Sequence, residues 1–354
     1  MVPDSSCVLF GGAGYIGTYL AALLLETGAQ KIYLVDIRVP REDRWPAPLR
    51  IAATHGAVQY IPADVRRSLV SDGLPDRCDL IFNLAAVHRE PGHAPHEYYE
   101  TNLSGAENVC AWAERVDCRR ILFASSISPY GSDASEKDER SLPVPETPYG
   151  GSKLVAENIH MAWQRGGGDR RLVIVRPGVV FGPGEGGNVT RLVKGVLNRY
   201  FFYSGNRHTR KAGGYVKELC RAMLWVLEAQ EHTGEKVTLF NFTLDPPPTV
   251  EEYVQTICRV AKVRRSIPNF PYHVLLGFSY VMDGFSKMVG IHQPFSPVRI
   301  RNSVRSNNII PGYLRECGYK YQYTFEEALR DWREDRPDEW GGGRAAAKPR
   351  NVAG

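Results

Sequence analysis

The stretch Cys7-Val-Leu-Phe-Gly-Gly-Ala-Gly-Tyr-Ile-Gly17 decides the fold. Its first four residues are apolar without alternation, as in a strand covered on both faces. Gly11, Gly14 and Gly17 follow at three-residue spacing, and a helical pattern then runs over residues 18–26, closed by Gly28. Such a turn brings bare backbone N–H groups to a helix N-terminus, which suits a diphosphate. The candidate contacts are Gly11, Gly14 and Gly17. A glycine turn before a helix can also be purely structural, so the residues around it have to decide.

The next strand, residues 31–35, ends at Asp36, about 20 residues after Gly17. A carboxylate there can accept both ribose hydroxyls and repel the extra phosphate of NADP, which favours NAD. Arg38, Arg41 and Arg44 follow closely and oppose that preference unless they sit in a solvated loop. Apolar strands recur at 58–61, 79–84, 120–124 and 172–175. Their alternation with helical stretches gives an α/β fold, a doubly wound parallel Rossmann sheet. Asp64-Val65 ends the third strand, where the carboxylate can meet an adenine amine or cap a helix. Leu84, Ala85 and Ala86 are small enough to admit a cofactor, or to serve a tight strand-to-helix crossing.

Residues 40–50 read as an irregular insertion and 132–148 as a surface loop. Beyond Pro177 the pattern loosens around the glycine-dense loop 181–187, a strand at 236–242 and a helix at 249–260. The expected division is a cofactor domain at 1–177 and a smaller α/β substrate domain at 178–335, with some segments returning to the first. Residues 341–354 read as a disordered tail.

Of the 354 residues, 43% are hydrophobic and 23% charged, which excludes disordered, collagenous and coiled-coil chains. A net charge of +5 does not call for nucleic acid, and neither nucleic-acid nor metal-ligand motifs occur. It does suit an anionic small substrate. Seven cysteines, an odd number without a C-x-x-C pair, read as free thiols in a reducing cytoplasm. The N-terminus has no secretory pattern, and no apolar run is long enough to span a bilayer.

Tyr149 and Lys153 stand four apart on an expected helix, hence on one face. A lysine ammonium beside a phenol favours the phenolate, which can then act as a base. Alone the pair means little. It gains weight from Ser125-Ser126 at the end of the fifth strand, where ligands sit in open α/β sheets.

As a set, Gly11 to Gly17, Asp36, Asp64, Asn83 to Ala86, Ser125-Ser126 with Tyr130-Gly131, Tyr149-x-x-x-Lys153, Arg176-Pro177 and Phe181-Gly-Pro-Gly184 resemble the extended short-chain dehydrogenase/reductases, in particular the NAD-dependent sugar epimerase/dehydratase group. The resemblance runs from residue 7 to about 335. It implies NAD as cofactor and Ser126, Tyr149 and Lys153 as catalytic residues. Cofactor contacts are implied at Gly11, Gly14, Tyr15, Ile16, Gly17, Asp36, Asp64, Val65, Leu84, Ala85, Ala86, Tyr149, Lys153 and Pro177, and at Asn102, which matches the family's structural asparagine. A closer similarity is to 4-epimerases of polyprenyl-diphosphate-linked N-acetylhexosamines, carried by residues 84–89, Tyr98-Tyr99, residues 187–189 and residues 296–301.

The implied reaction is C4 epimerisation of a diphosphate-linked sugar, on a nucleotide or a lipid carrier, by transient oxidation and re-reduction. Ile127 and Ser128 stand where a 4,6-dehydratase would carry acids, which argues against dehydration. The alternatives are net hydride transfer on a keto-sugar or other secondary alcohol and, more remotely, a non-enzymatic NAD-sensing scaffold. Substrate contacts are expected from His88, Arg89, Ser126, Ser128, Asn188, Arg299 and Arg301. A homodimer is the family expectation. Val274, Leu275, Phe278, Val281, Met282, Phe285, Met288 and Val289 form a helical apolar stripe. That stripe, within residues 274–289, packs on the domain or touches a bilayer at its inner face.

Overall fold

The computed structural model describes residues 5–41, 45–70, 73–90, 92–289 and 297–341. In chain order the elements used below are β1 (Ser6–Phe10), α1 (Tyr15–Glu26), β2 (Lys31–Asp36), α2 (Ala47–Thr54), β3 (Val58–Pro62), β4 (Leu80–Asn83), α3 (Pro95–Arg115), β5 (Arg120–Ala124), β6 (Asp133–Lys137), α4 (Pro148–Arg165), β7 (Arg171–Pro177), β8 (Val179–Phe181), α5 (Asn188–Leu197), β9 (Tyr203–Ser204), β10 (Gly213–Tyr215), α6 (Val216–Thr233), β11 (Val237–Phe242), α7 (Val250–Ala261), α8 (Tyr272–Val289) and α9 (Pro297–Val304).

Seven strands form one sheet in the order β11-β7-β5-β4-β1-β2-β3, and every pairing is parallel. The near-continuous apolar runs follow from this arrangement, since parallel strands are covered on both faces. Val8, Leu9, Phe10, Ile81, Phe82 and Leu122 are wholly buried. Phe10 meets Trp112 of α3 edge-on at 5.4 Å. The strand order reverses between β1 and β4, and the crevice at their C-terminal ends is where such sheets bind ligands.

The chain divides into two units, the first made of residues 1–180, 212–247 and 308–321 and the second of 181–211, 248–307 and 322–354. The first therefore takes α6 and β11 from beyond residue 177, with β11 paired to β7 over Val237↔Leu172 to Phe242↔Pro177. In the second, Phe181 is ringed by Tyr253, Phe325 and Trp332 at centroid distances of 6.4, 6.0 and 6.3 Å.

Two expectations change. The stretch read as irregular at 40–50 runs into α2, which starts after Pro46 and buries Leu49. Proline at a helix start satisfies rather than breaks it. The stretch read as loop at 132–148 contains β6, whose residues are mostly exposed, so the burial pattern that marks a strand is missing from its sequence. Residues 342–354, expected as a tail, lie outside the described residues.

Candidate active site

The glycine turn is dictated by space. Gly11 has φ +76, and a Cβ on it would stand 2.7 Å from the Ala85 backbone N, inside contact distance. A Cβ on Gly17 would stand 2.6 Å from the Gly12 carbonyl oxygen. The N-cap of α1, Gly14, makes no side-chain cap hydrogen bond, and the first turn carries no acidic residue. The helix N-terminus thus offers amides and partial positive charge with no competing protein anion, which fits the diphosphate of a dinucleotide. Tyr15 and Ile16 form the first turn, with the Tyr15 ring 5.7 Å from that of Tyr19.

Around this turn the strand ends line up. Leu84 N donates to Phe10 O at 2.9 Å, which seats Leu84-Ala85-Ala86 beside Gly11. Asp36 closes β2, its Oδ1 accepting from Arg38 N at 3.0 Å. Asp64 is held in a fork by Arg66, with Nε–Oδ1 3.0 Å and Nη2–Oδ2 2.7 Å, and this partner keeps its carboxyl below the usual range. Val65 packs in the core, and its carbonyl accepts from Asn108 Nδ2 at 2.8 Å. Arg44 lies outside the described residues.

Asn102 is expected as a cofactor contact, but its amide is occupied elsewhere. Its Oδ1 accepts from Val87 N at 3.0 Å, and its Nδ2 donates to Val87 O at 3.2 Å and to Ser152 Oγ at 2.8 Å. Ser152 in turn donates to the Tyr149 carbonyl at 2.8 Å. Asn102 thereby clamps the loop after β4 to the start of α4.

The catalytic candidates share the ends of β5 and β7 and the start of α4. Helix α4 starts where Thr147 Oγ1 accepts from Gly150 N at 3.1 Å, with Pro148 in its first turn. Ser126 accepts from Ser128 N at 3.1 Å, and the two hydroxyls lie 3.2 Å apart. Pro177 O accepts from Ile127 N at 3.1 Å and fixes that turn against β7.

Desolvation pushes the Tyr149 phenol up to about 12, while its hydrogen bond to Ser126 acts the other way. Lys153, 2% exposed, points its Nζ at the Phe123 ring, 4.5 Å from the centroid. Burial pushes its ammonium down to about 7, and the Glu157 carboxylate opposes that shift. The sequence expectation that Lys153 lowers the Tyr149 phenol is therefore not met in this arrangement. Helical spacing gives a shared face but not the direction of a long side chain.

Several neighbours were given no role in the sequence reading. His160 stacks on the other partner of Lys153, Phe123, with ring centroids 4.1 Å apart. Its Nδ1 donates to Ala156 O at 2.8 Å, so its Nε2 accepts from Asn83 Nδ2 at 3.2 Å, and burial holds the ring neutral with a pKa of about 4. The Asn83 Oδ1 at the end of β4 is buried without a hydrogen-bond partner among the described residues. Tyr98 packs 6.0 Å from the Tyr149 ring and donates to Arg89 O at 2.5 Å. Glu157 and Arg176 form a buried fork, with Nε–Oε1 2.8 Å and Nη2–Oε2 2.6 Å. Their signal was present, Glu157 one helical turn beyond Lys153 and Arg176 inside a quoted motif, but pairing needs the fold.

The substrate candidates divide. His88 and Arg89 lie exposed on the loop after β4 in the first unit. Asn188 opens α5 in the second unit, with its Oδ1 accepting from Arg191 at 2.6 Å. Arg301 on α9 is exposed and donates to the Tyr280 hydroxyl of α8, its guanidinium 5.8 Å from that ring. The side chain of Arg299 lies outside the described residues. The apolar stripe of α8 is split rather than turned as a whole: Leu275 is buried, whereas Val274, Phe278 and Val281 are exposed. The side chains of Phe285, Met288 and Val289 lie outside the described residues.

A seven-stranded parallel sheet, an uncapped glycine turn at its switch point, and a serine, tyrosine and lysine on adjacent strand and helix ends define a Rossmann-type dinucleotide enzyme. Residues 7–239 match the NAD dependent epimerase/dehydratase family, and the chain belongs to it. It is 25% identical over 327 residues to an N-acetyl-alpha-D-glucosaminyl-diphospho-ditrans,octacis-undecaprenol 4-epimerase of Escherichia coli O157:H7, which covers 92% of this chain and 93% of that protein. A UDP-N-acetylglucosamine 4-epimerase from Methanobrevibacter ruminantium M1, solved with UDP-N-acetylmuramic acid, superposes with a TM-score of 0.73 at 19% identity over 96% of this chain and 99% of that one. MoeE5 with UDP-glucuronic acid and NAD gives a TM-score of 0.69 at 22% identity, over 94% of this chain and 99% of that one. No helix among the described residues is long and apolar enough to cross a membrane.

Proposed function

We propose that this chain is an NAD-dependent 4-epimerase of a diphosphate-linked sugar, acting by oxidation and re-reduction at C4. The carrying observation is the set Ser126, Tyr149 and Lys153 at the strand and helix ends of a switch point whose glycine turn fits a dinucleotide. Gly11, Gly14, Tyr15, Ile16 and Gly17 hold the diphosphate, and Asp36 takes the adenosine ribose. With the cofactor bound, Asp64 and Val65 would serve the adenine, Leu84, Ala85 and Ala86 would leave room for it, and Pro177 would serve the nicotinamide.

When bound, the nicotinamide supplies a hydride acceptor that can return the hydride to the same carbon. The protein's part is proton handling and placement. Tyr149 Oη takes the proton of the 4-hydroxyl and later gives it back. Ser126 Oγ holds O4 as hydroxyl and as ketone, with Ser128 supporting Ser126. Because the phenol is desolvated, a cation must stand beside it for the phenolate to form. Lys153, one turn along the same helix, is the residue for that role: its Nζ lies over the Phe123 ring and would have to turn toward the phenol and the nicotinamide ribose when cofactor and substrate bind. The sugar must turn between the two hydride transfers, so grip belongs on the diphosphate. Asn188, Arg299 and Arg301 provide it, and arginine's planar fork suits phosphate oxygens. His88 and Arg89 meet the sugar from the β4 loop.

The similarity to the undecaprenol-linked relative supports a lipid-carried N-acetylhexosamine as substrate. The exposed Val274, Phe278 and Val281 support peripheral contact of α8 with the inner face of a membrane, beside the basic Arg301. A cytoplasmic homodimer follows the family, and exposed Tyr99 on α3 and Val155 on α4 suit a helical interface.

The test is incubation of the purified protein with UDP-sugars and with polyprenyl-diphosphate sugars, reading C4 configuration by chromatography. Inversion without accumulating NADH is the expected result. Stoichiometric NADH release would replace the epimerase by a net oxidoreductase, and no inversion on either carrier by NAD-loaded protein would sink the reading. Co-sedimentation with anionic vesicles, lost in Phe278→Asp, tests the membrane contact.

A further inference from the structure

Glu157 is 1% exposed and Arg176 4% exposed, yet both are ionisable. The carboxylate accepts three hydrogen bonds. Oε1 accepts from Ser125 Oγ at 2.5 Å and from Arg176 Nε at 2.8 Å, and Oε2 accepts from Arg176 Nη2 at 2.6 Å. Arg176 is itself fixed, its guanidinium lying 4.7 Å from the centre of the Tyr130 ring, whose hydroxyl donates to Asn241 Oδ1 at 3.0 Å. A buried ion pair is weak evidence for stability, because desolvation offsets much of its Coulomb gain. Its position suggests another use. One carboxylate ties together α4, the Ser125–Ser126 end of β5 and the Arg176–Pro177 end of β7.

We propose that Glu157, pinned by Arg176 and Ser125, is a positioning residue that acts through Lys153 by setting the charge and placement of its ammonium. Lys153 lies one helical turn before Glu157, on the same face. It is taken out of water against an aromatic ring, which favours the neutral amine, and the Glu157 carboxylate is what opposes that. The other titratable groups around Lys153 are Tyr149 and the neutral His160 on α4, His88 on the β4 loop, and Arg176 behind Glu157 on β7. None of these adds a negative charge at neutral pH. The inference rests on the reading of Lys153 as the catalytic lysine.

The test is direct titration of Lys153 in the full-length protein carrying 13C at lysine Cε, followed by NMR and assigned by the signal lost in Lys153→Arg. Glu157→Gln keeps the shape of the side chain but leaves Arg176 unpaired. The double variant Glu157→Gln/Arg176→Met removes both charges and keeps the proposal testable should the single variant fail to fold. In folded Glu157→Gln the Lys153 midpoint is expected to fall by about one pH unit or more; in the double variant, where the Arg176 cation is lost as well, the midpoint is read against Arg176→Met and is expected to lie below it. The turnover number should drop about 10- to 100-fold with KM changed little, and the limb of the pH profile lost as Lys153 deprotonates should move to lower pH. A purely structural Glu157 would lower Tm and leave that midpoint where it is. An unchanged midpoint in folded Glu157→Gln relative to wild type, or in the folded double variant relative to Arg176→Met, overturns the proposal. Absence of C4 inversion in the wild type would sink the functional reading instead, and the titration would still report on Glu157.

Discussion

The Lys153 ammonium lies over the Phe123 ring, 4.5 Å from its centroid, while the His160 ring stacks on the same phenylalanine at 4.1 Å. A cation–π contact compensates only part of the hydration a lysine gives up on burial. The consequence is an ammonium pushed down to about 7 in the middle of the candidate site. Lys153 is thus a costly residue that the fold retains.

That cost gives a stability prediction. The unfolded lysine titrates near 10.5 and the folded one near 7, so between those values the unfolded state binds more protons. Stability contributed by this group therefore rises with pH across that window and is at its lowest below pH 7. Lys153→Met removes the penalty. It should melt about 3 °C or more above wild type at pH 7, with the difference shrinking toward pH 10, while epimerisation is lost. Calorimetry at the two pH values decides the matter, and a variant that melts lower at pH 7 contradicts the account.

Tyr149→Phe removes one hydroxyl and leaves the ring against Tyr98. C4 inversion should fall about 100- to 10,000-fold, with the melting temperature and the bound NAD content unchanged. Turnover near the wild-type rate would remove Tyr149 from the mechanism.

At Gly11 both conformation and space exclude a side chain, with φ +76 and the Ala85 backbone N at 2.7 Å from a Cβ. Gly11→Ala should cost about 1–3 kcal/mol and leave the protein purifying without NAD. Cofactor released on denaturation, measured by chromatography, checks this; full occupancy would mean the turn does not carry the diphosphate.

His160 is neutral when folded, with a pKa of about 4 against 6.5 when unfolded. Between those values the unfolded state takes up a proton that the folded state refuses, so stability falls as pH drops from 6.5 toward 4. The loss is of order 3 kcal/mol. Comparing urea midpoints of wild type and His160→Gln at pH 7 and pH 5 should show a smaller drop in the variant, and parallel drops would exclude His160 as the source.

Asp36 closes β2 beside the turn, with its carboxylate fixed by Arg38 N at 3.0 Å. Asp36→Asn should weaken NAD binding several-fold and narrow the discrimination against NADP, both read by calorimetric titration. An unchanged preference would point away from Asp36 as the ribose partner.

The sequence by itself determined the sheet, the glycine turn and the candidate trio. Each follows from a local rule: apolar runs in strands covered on both faces, bare backbone where a Cβ would collide, and a four-residue helical repeat. Weak local patterns hid α2 and β6, because a proline that starts a helix resembles one that marks a loop, and an exposed strand buries no periodic face. Tertiary structure alone decided where long side chains point and which charges meet. It put Lys153 on Phe123, spent Asn102 on Val87 and Ser152, split the α8 stripe, and joined Glu157 to Arg176 across α4 and β7. Periodicity fixes a residue's face, whereas its rotamer, burial and partner depend on atoms contributed by distant parts of the chain.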